Sequence, residues 1–224
     1  MKTRPKYIAV DGGEGSGKSS QIALLRREFG DSIFLTREPG GSPDGEVIRR
    51  ILLDHPLSPM AAPETELHLM FVDRYDHVEQ VIRPVLERGL HVVTDRSDAS
   101  SYAYQVVAGS VPSSEDSLNL DGMKLRERLE AKFWQYRKSL PVLPDLYVIF
   151  DVDPKIGLAR RNGTRDTNHI DRRPIEFHER VRKALLEFPN HVRSRSVVID
   201  ANDSFKRVSE DFTAVIRGEI ERLA

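Results

Sequence analysis

The run Val10-Asp11-Gly12-Gly13-Glu14-Gly15-Ser16-Gly17-Lys18-Ser19-Ser20 decides the fold. It contains G-x-x-x-x-G-K-S, with the apolar stretch Tyr7–Val10 before it and a helical pattern, Gln21–Phe29, after it. A strand, a glycine-rich loop and a helix in that order make a phosphate-binding unit. The glycines let backbone N–H groups curl around an anionic phosphate, and the following helix adds its positive dipole end. Lys18 is placed to reach the β and γ phosphates of a nucleoside triphosphate, and the Ser19 hydroxyl to bind Mg²⁺. Gly12, Gly13, Glu14, Gly15, Ser16, Gly17, Lys18, Ser19 and Ser20 are therefore the expected ATP-binding residues. The loop alone does not name a reaction, because motors, GTPases, ATPases and small-molecule kinases share it.

Outward from this loop, short apolar runs alternate with amphipathic stretches, which predicts a parallel sheet with helices on both faces. Strands are expected at Tyr7–Val10, Ile33–Thr36, His91–Thr94, Leu146–Phe150 and Val197–Ile199. Helices are expected to start near Lys18, Asp44, Pro63, Asp121, Pro154, Pro174 and Ser204. The fold class is α/β, a three-layer α/β/α P-loop NTPase with a five-stranded parallel sheet, forming a single domain over residues 1–224. Gly109–Gly122 reads as a loop insertion. Asn162–Arg173, within a lid at about 161–173, reads as a mobile cover between two helical patterns.

The 224 residues suffice for one large core. Lys plus Arg number 34 against 35 Asp plus Glu, so overall charge points to neither a nucleic-acid nor a membrane partner. The absence of cysteine removes disulfides and thiolate metal sites. The first apolar run is too short for a signal-peptide core or a membrane span, and a cytoplasmic location is the expectation.

Two further motifs follow strands. Thr36-Arg37-Glu38-Pro39-Gly40-Gly41-Ser42-Pro43 lies at a strand end beside the phosphate loop, where ligands gather in open α/β sheets. Read alone, it is equally a proline-glycine turn with solvated charges. Val92-Val93-Thr94-Asp95-Arg96 ends the third strand. There an acid can enter the Mg²⁺ shell and an arginine can clamp a phosphate, or the two can be a surface ion pair.

Taken together, these residues resemble the thymidylate kinase family. The likeness covers Asp11–Gln21, Thr36–Leu53 with Gly45, Glu46 and Arg49, then Arg74 and His77–Pro84. It continues through Asp95-Arg96, Ser100, Ala103-Tyr104-Gln105, Pro144-Asp145-Leu146 and Asp151-Val152. It implies a transferase that moves the γ-phosphate of ATP to dTMP, with Mg²⁺ as cofactor, in a homodimer. By the same resemblance Arg49 and Arg96 grip the acceptor phosphate, and Arg74 binds the base or an acceptor oxygen. Ser100, Ser101 and Gln105 hydrogen-bond near the base, and Tyr104 borders the sugar. Glu38 and Glu14 sit near the sugar hydroxyl and the cations, Ser19 and Asp95 hold the metal, and the Glu38–Pro39 peptide is cis.

Some family members carry an arginine where this chain has Gly15 and others place arginines in the cover. That makes Arg160, Arg161, Arg165, Arg172 and Arg173 the supply of positive charge, with Arg160 and Arg165 expected to act beside Lys18, Glu14 and Arg96, and Arg172 as the third candidate. An arginine so placed accelerates phosphoryl transfer about a thousandfold or more. Three positions depart from the family pattern. Met70 stands where a phenylalanine usually stacks on the base. Phe71 is turned about 100° from it on a helix and belongs to the core. Ser97 follows Asp95-Arg96 where a ring residue is common. Asp171-Arg172 lacks the acid that usually follows such a pair. The alternatives are a kinase for another nucleoside monophosphate and a P-loop nucleotide-binding regulator or ATPase.

Overall fold

The computed structural model describes residues 4–54, 62–111, 120–161 and 168–221. Five strands, β1 (Tyr7–Gly12), β2 (Ile33–Arg37), β3 (His91–Asp95), β4 (Leu146–Asp151) and β5 (Arg195–Asp200), form one parallel sheet in the order β2-β3-β1-β4-β5. β1 is central and all six of its residues are buried, as expected of a strand covered on both faces. Its side chains alternate: Ile8 and Val10 enter one core, Ala9 the other.

The core containing Ile8 and Val10 is closed by α1 (Lys18–Phe29) through Ile22 and Leu25, and by α9 (Phe205–Ile220) through Val208, Phe212 and Ile216. The opposite core is closed by α3 (Pro63–His77), α6 (Leu120–Ser139) and α8 (Ile175–Glu187), with Phe71, Phe133 and Phe177 among its buried rings. This is the three-layer α/β/α arrangement that the strand-helix alternation predicts. α2 (Pro43–Leu53) starts one residue before the expected Asp44, because Ser42 accepts from Gly45 N at 3.0 Å and Pro43 takes the first turn. α3 continues through a π-helical turn, Val78–Ile82, into α4 (Arg83–Glu87).

One helical segment was absent from the sequence expectations. α5 (Asp98–Ser101) runs into a π-helical stretch, Tyr102–Ala108, capped at its start by the Ser97 side chain. Every residue from Asp98 to Val106 is buried. A helix wrapped on all sides by protein has no polar face, so its sequence shows no 3.6-residue period. Of the expected 109–122 loop, residues 112–119 lie outside the described residues, and Leu120–Gly122 already belong to α6.

Candidate active site

Three strand ends converge on one cavity. The loop after β1, the Glu38-Pro39 turn after β2 and Asp95-Arg96 at the end of β3 sit side by side. The register places Val10 opposite Asp95 and Asp95 opposite Arg37. The first and third segments are tied by Asp11, which is fully buried. Its carboxylate accepts from Ser97 N (3.2 Å), Ser97 Oγ (2.6 Å), Ser100 N (3.1 Å) and Ser100 Oγ (2.6 Å). Burial raises its pKa, opposed by the two serine hydroxyls. Ser97, a departure from the family pattern in the sequence, here helps latch α5 to the phosphate-loop strand.

Arg96 stands between the two segments so joined. It is the one non-glycine residue with positive φ (73°) among those described, a backbone state that costs about 1–3 kcal/mol and persists only where surroundings impose it. Arg96 N donates to Val10 O at 2.9 Å. Its guanidinium donates to Glu14 Oε1 at 2.5 Å and Ser100 Oγ at 3.3 Å, and lies 5.0 Å from the Tyr104 ring centroid. Tyr104 OH also donates to Glu14 Oε1, at 2.9 Å. Burial alone would raise the Glu14 carboxyl, but Arg96, Lys18 and the Tyr104 hydroxyl bring it down to about 2. Glu14 is thus an anion at any working pH, and it anchors one end of the Arg96 guanidinium.

Lys18 folds back on its own loop, with Nζ donating to Gly12 O (2.9 Å), Gly13 O (3.1 Å) and Ser16 Oγ (3.2 Å). Burial, helped by Arg96, lowers its pKa to about 8. Ser19 Oγ donates to Asp95 Oδ2 at 2.5 Å. This pair offers only hard oxygen donors beside the phosphate loop, which suits Mg²⁺. No cluster of three or more acidic, histidine or cysteine ligands exists among the described residues. Most of the shell of a cation here would therefore come from phosphate oxygens and water, the usual case for Mg²⁺.

The Glu38–Pro39 peptide is cis. Glu38 is 1% exposed and accepts from Arg74 Nε at 2.7 Å, while its other oxygen meets His77 Nδ1 at 3.2 Å. Burial works against its charge, but Arg74 and His77 hold its pKa below the ordinary value. Glu38 faces the cavity, whereas Arg74, 2% exposed, does not. Arg74 Nη2 donates to Ser101 Oγ at 3.0 Å, and its Nη1 is buried with no hydrogen-bond partner among the described residues. Arg74 and Ser101, expected at the base, thus lie one layer behind the wall that Glu38 forms.

The cavity measures about 630 Å³. Of the expected ATP and acceptor residues, Glu14, Gly15, Ser16, Gly17, Lys18, Ser19, Ser20, Glu38, Arg49, Met70, Arg96, Ser100, Tyr104 and Gln105 line it, with Asp95. Arg49 Nη1 donates to Pro39 O at 2.9 Å. Phe71 instead packs against Phe133 (5.5 Å) and Tyr136 (5.3 Å), as its helical angle from Met70 requires. The sequence reading missed Glu66, Leu52, Leu53, Asn168, His169 and Ile170, which also line the cavity. Glu66 was legible in one respect, standing one helical turn before Met70.

The cover arginines are distributed unevenly. Arg160 and Arg161, at the end of α7 (Pro154–Arg161), both line the cavity. Arg160 Nη1 donates to Ala201 O at 2.8 Å, and Arg161 grips both oxygens of Asp171 at 3.0 Å. Asp171 therefore pairs backward with Arg161, and Arg172 is absent from the cavity wall. Arg173 lies over Phe177. Arg165 falls outside the described residues. α7 itself rests on the phosphate loop. A Cβ at Gly15 (φ 68°) would come within 1.9 Å of Gly157 O, and one at Gly157 within 2.2 Å of Glu14 O. A side chain at position 15 is thus excluded by backbone contact.

The model of the thymidylate kinase family matches residues 10–212. The thymidylate kinase of Pseudoalteromonas translucida is 35% identical over 221 residues, covering 96% of each chain. Those of Halalkalibacterium halodurans and Caulobacter vibrioides are each 36% identical, covering 96% of this chain and 97% of theirs.

Proposed function

The chain belongs to the thymidylate kinase family, and on that premise we propose how its cavity divides the work of moving the γ-phosphate of ATP to dTMP, giving ADP and dTDP. The observation that carries the assignment is the presence of two cationic groups in one cavity: Lys18 in the phosphate loop, and Arg49 with Arg96 facing it. A hydrolase needs the first set alone. Transfer between two nucleotides needs both, because the attacking phosphate is itself an anion.

The ATP phosphates occupy the loop from Gly12 to Ser20. Lys18 exchanges its loop carbonyls for phosphate oxygens, which return full positive charge to its lowered ammonium. Arg96, held by Glu14 and Ser100, and Arg49, held by Pro39 O, fix the dTMP phosphate so that its oxygen attacks in line. Ser19 and Asp95 hold Mg²⁺, which when bound neutralises charge on the transferring phosphoryl group. Tyr104 borders the sugar, Glu38 stands near its hydroxyl, and Ser100, Gln105 and Met70 face the base. Arg74 and Ser101 support Glu38 from behind. Arg160 and Arg161 reach the donor phosphates from α7, and we assign Arg165 to the same lid over 161–173.

Met70 motivates a second reading, a kinase for another deoxynucleotide, because a thioether selects ring shape less strictly than a stacked ring. Coupled ADP-release assays with ATP, Mg²⁺ and dTMP, dUMP, dGMP, dCMP or dAMP separate the readings. A preference for dTMP is expected, a preference for another acceptor would transfer the assignment to that base, and ADP release without any acceptor would favour an ATPase.

A homodimer is part of this proposal. Val47 and Ile51 on α2, with Val72 and Tyr75 on α3, expose 45–58% of their surface on two helices that pack together. Sedimentation of the wild type and of Val72→Glu tests that face. No described helix is long and apolar enough to cross a membrane, and dependence on ATP fits the cytoplasm.

A further inference from the structure

Glu66 is the cavity-wall residue that phosphate chemistry leaves unexplained. It is 9% exposed, and burial raises its carboxyl above the ordinary value, opposed by the Gln105 amide and by Arg173. Its described side-chain hydrogen bond comes from Gln105 Nε2, at 3.2 Å, and Gln105 is also a wall residue with 9% exposure. Glu66 stands one turn before Met70 on α3, so both project into the same compartment of the cavity.

In its ionised form a carboxylate only accepts hydrogen bonds, whereas an amide has one donating and one accepting end. Glu66 therefore settles which way Gln105 faces. The NH₂ end turns to Glu66, and Oε1 is the end left for a ligand. No other described hydrogen bond holds the Gln105 amide. A fixed acceptor of this kind suits a base edge carrying a ring N–H, such as N3–H of thymine. It opposes cytosine, whose N3 offers a lone pair and would leave two buried acceptors facing each other.

We propose that Glu66 is a positioning residue for base selection, holding the Gln105 amide so that its oxygen discriminates thymine from cytosine. The proposal rests on the assignment of this compartment to the dTMP base. It also explains how selectivity survives Met70, since hydrogen-bond pairing rejects a mismatched analogue far more strongly than apolar shape does.

Replacement Glu66→Gln keeps the volume but restores a donor, and frees the Gln105 amide to turn. The ratio of kcat/KM for dTMP to that for dCMP is expected to fall by about tenfold or more, through KM rather than kcat. Gln105→Leu should lower the same ratio by removing the reading group, and adding Glu66→Gln to it should change the ratio no further. A Glu66→Gln ratio within about threefold of wild type, or a further drop in the double variant, would overturn the proposal. Failure of the wild type to prefer dTMP would instead overturn the underlying assignment, so the two failures are distinguishable.

Discussion

Asp11 offers the most direct test of how the site is held together. Its four accepted hydrogen bonds are unequal in what their loss would do. In Asp11→Ala, Ser97 N loses its described partner, while Ser100 N keeps a second acceptor, Ser97 O, at 3.1 Å. One stranded buried N–H costs about 1–3 kcal/mol, and each serine hydroxyl that loses its acceptor forfeits about 0.5–1.5 kcal/mol. The expected loss of unfolding free energy is therefore about 2–6 kcal/mol, a large share of a typical domain's stability. Asp11→Asn behaves differently, because an amide oxygen in the place of Oδ1 retains three of the four bonds and only Ser97 Oγ must reorient. That variant should lie within about 1 kcal/mol of wild type. Urea unfolding of the three proteins measures these differences. The alanine variant should also raise KM for dTMP, since the positive φ of Arg96 is no longer imposed from the α5 side. If alanine costs less than about 1 kcal/mol, or asparagine costs as much as alanine, the latch does not work as described.

Lys18→Ala should lower kcat at least about a hundredfold with an unfolding temperature close to wild type. A folded, active variant would remove the assigned role of the loop. The Glu14 carboxyl is held at about 2 against an ordinary 4.5. Its contribution to stability is accordingly complete above about pH 4.5 and disappears as the pH falls toward 2. Wild type should lose stability over that window more steeply than Glu14→Gln, as followed by circular dichroism, and parallel curves would contradict the pairing with Arg96. Arg161→Ala should reduce kcat about tenfold or more while Arg172→Ala leaves it within about twofold, since only the former side chain lines the cavity. The reverse order would place the working arginine further along the cover.

The sheet was legible because buried parallel strands are continuous apolar runs, and each predicted strand lies within the observed one. The phosphate loop was legible because its glycines, lysine and serine must be contiguous to act together. Separation in sequence hid the rest. The Glu38–Arg74 and Asp11–Ser97 contacts join residues far apart in the chain, and only the fold brings them within hydrogen-bonding distance. The sequence places Arg74 at the base or an acceptor oxygen but cannot show that its Nε donates to Glu38 and one Nη to Ser101. The pairing of Asp171 with Arg161, ten residues earlier, is likewise invisible in the sequence. The Met70 and Phe71 assignments followed from helical geometry, because adjacent positions must face different surroundings. The helix at Asp98–Ser101 escaped notice for the opposite reason: its surroundings are uniform.

The bare backbone contact between Gly15 and Gly157 also has a mechanical meaning. Side chains between packed elements act as adjustable spacers, because rotamer changes absorb small displacements. Here no spacer exists, and two peptide groups bear directly on each other. The start of α7 is therefore indexed to the phosphate loop as a part is seated against a machined stop. Arg160 and Arg161, three and four residues beyond the bearing point and so about one helical turn away, inherit that alignment.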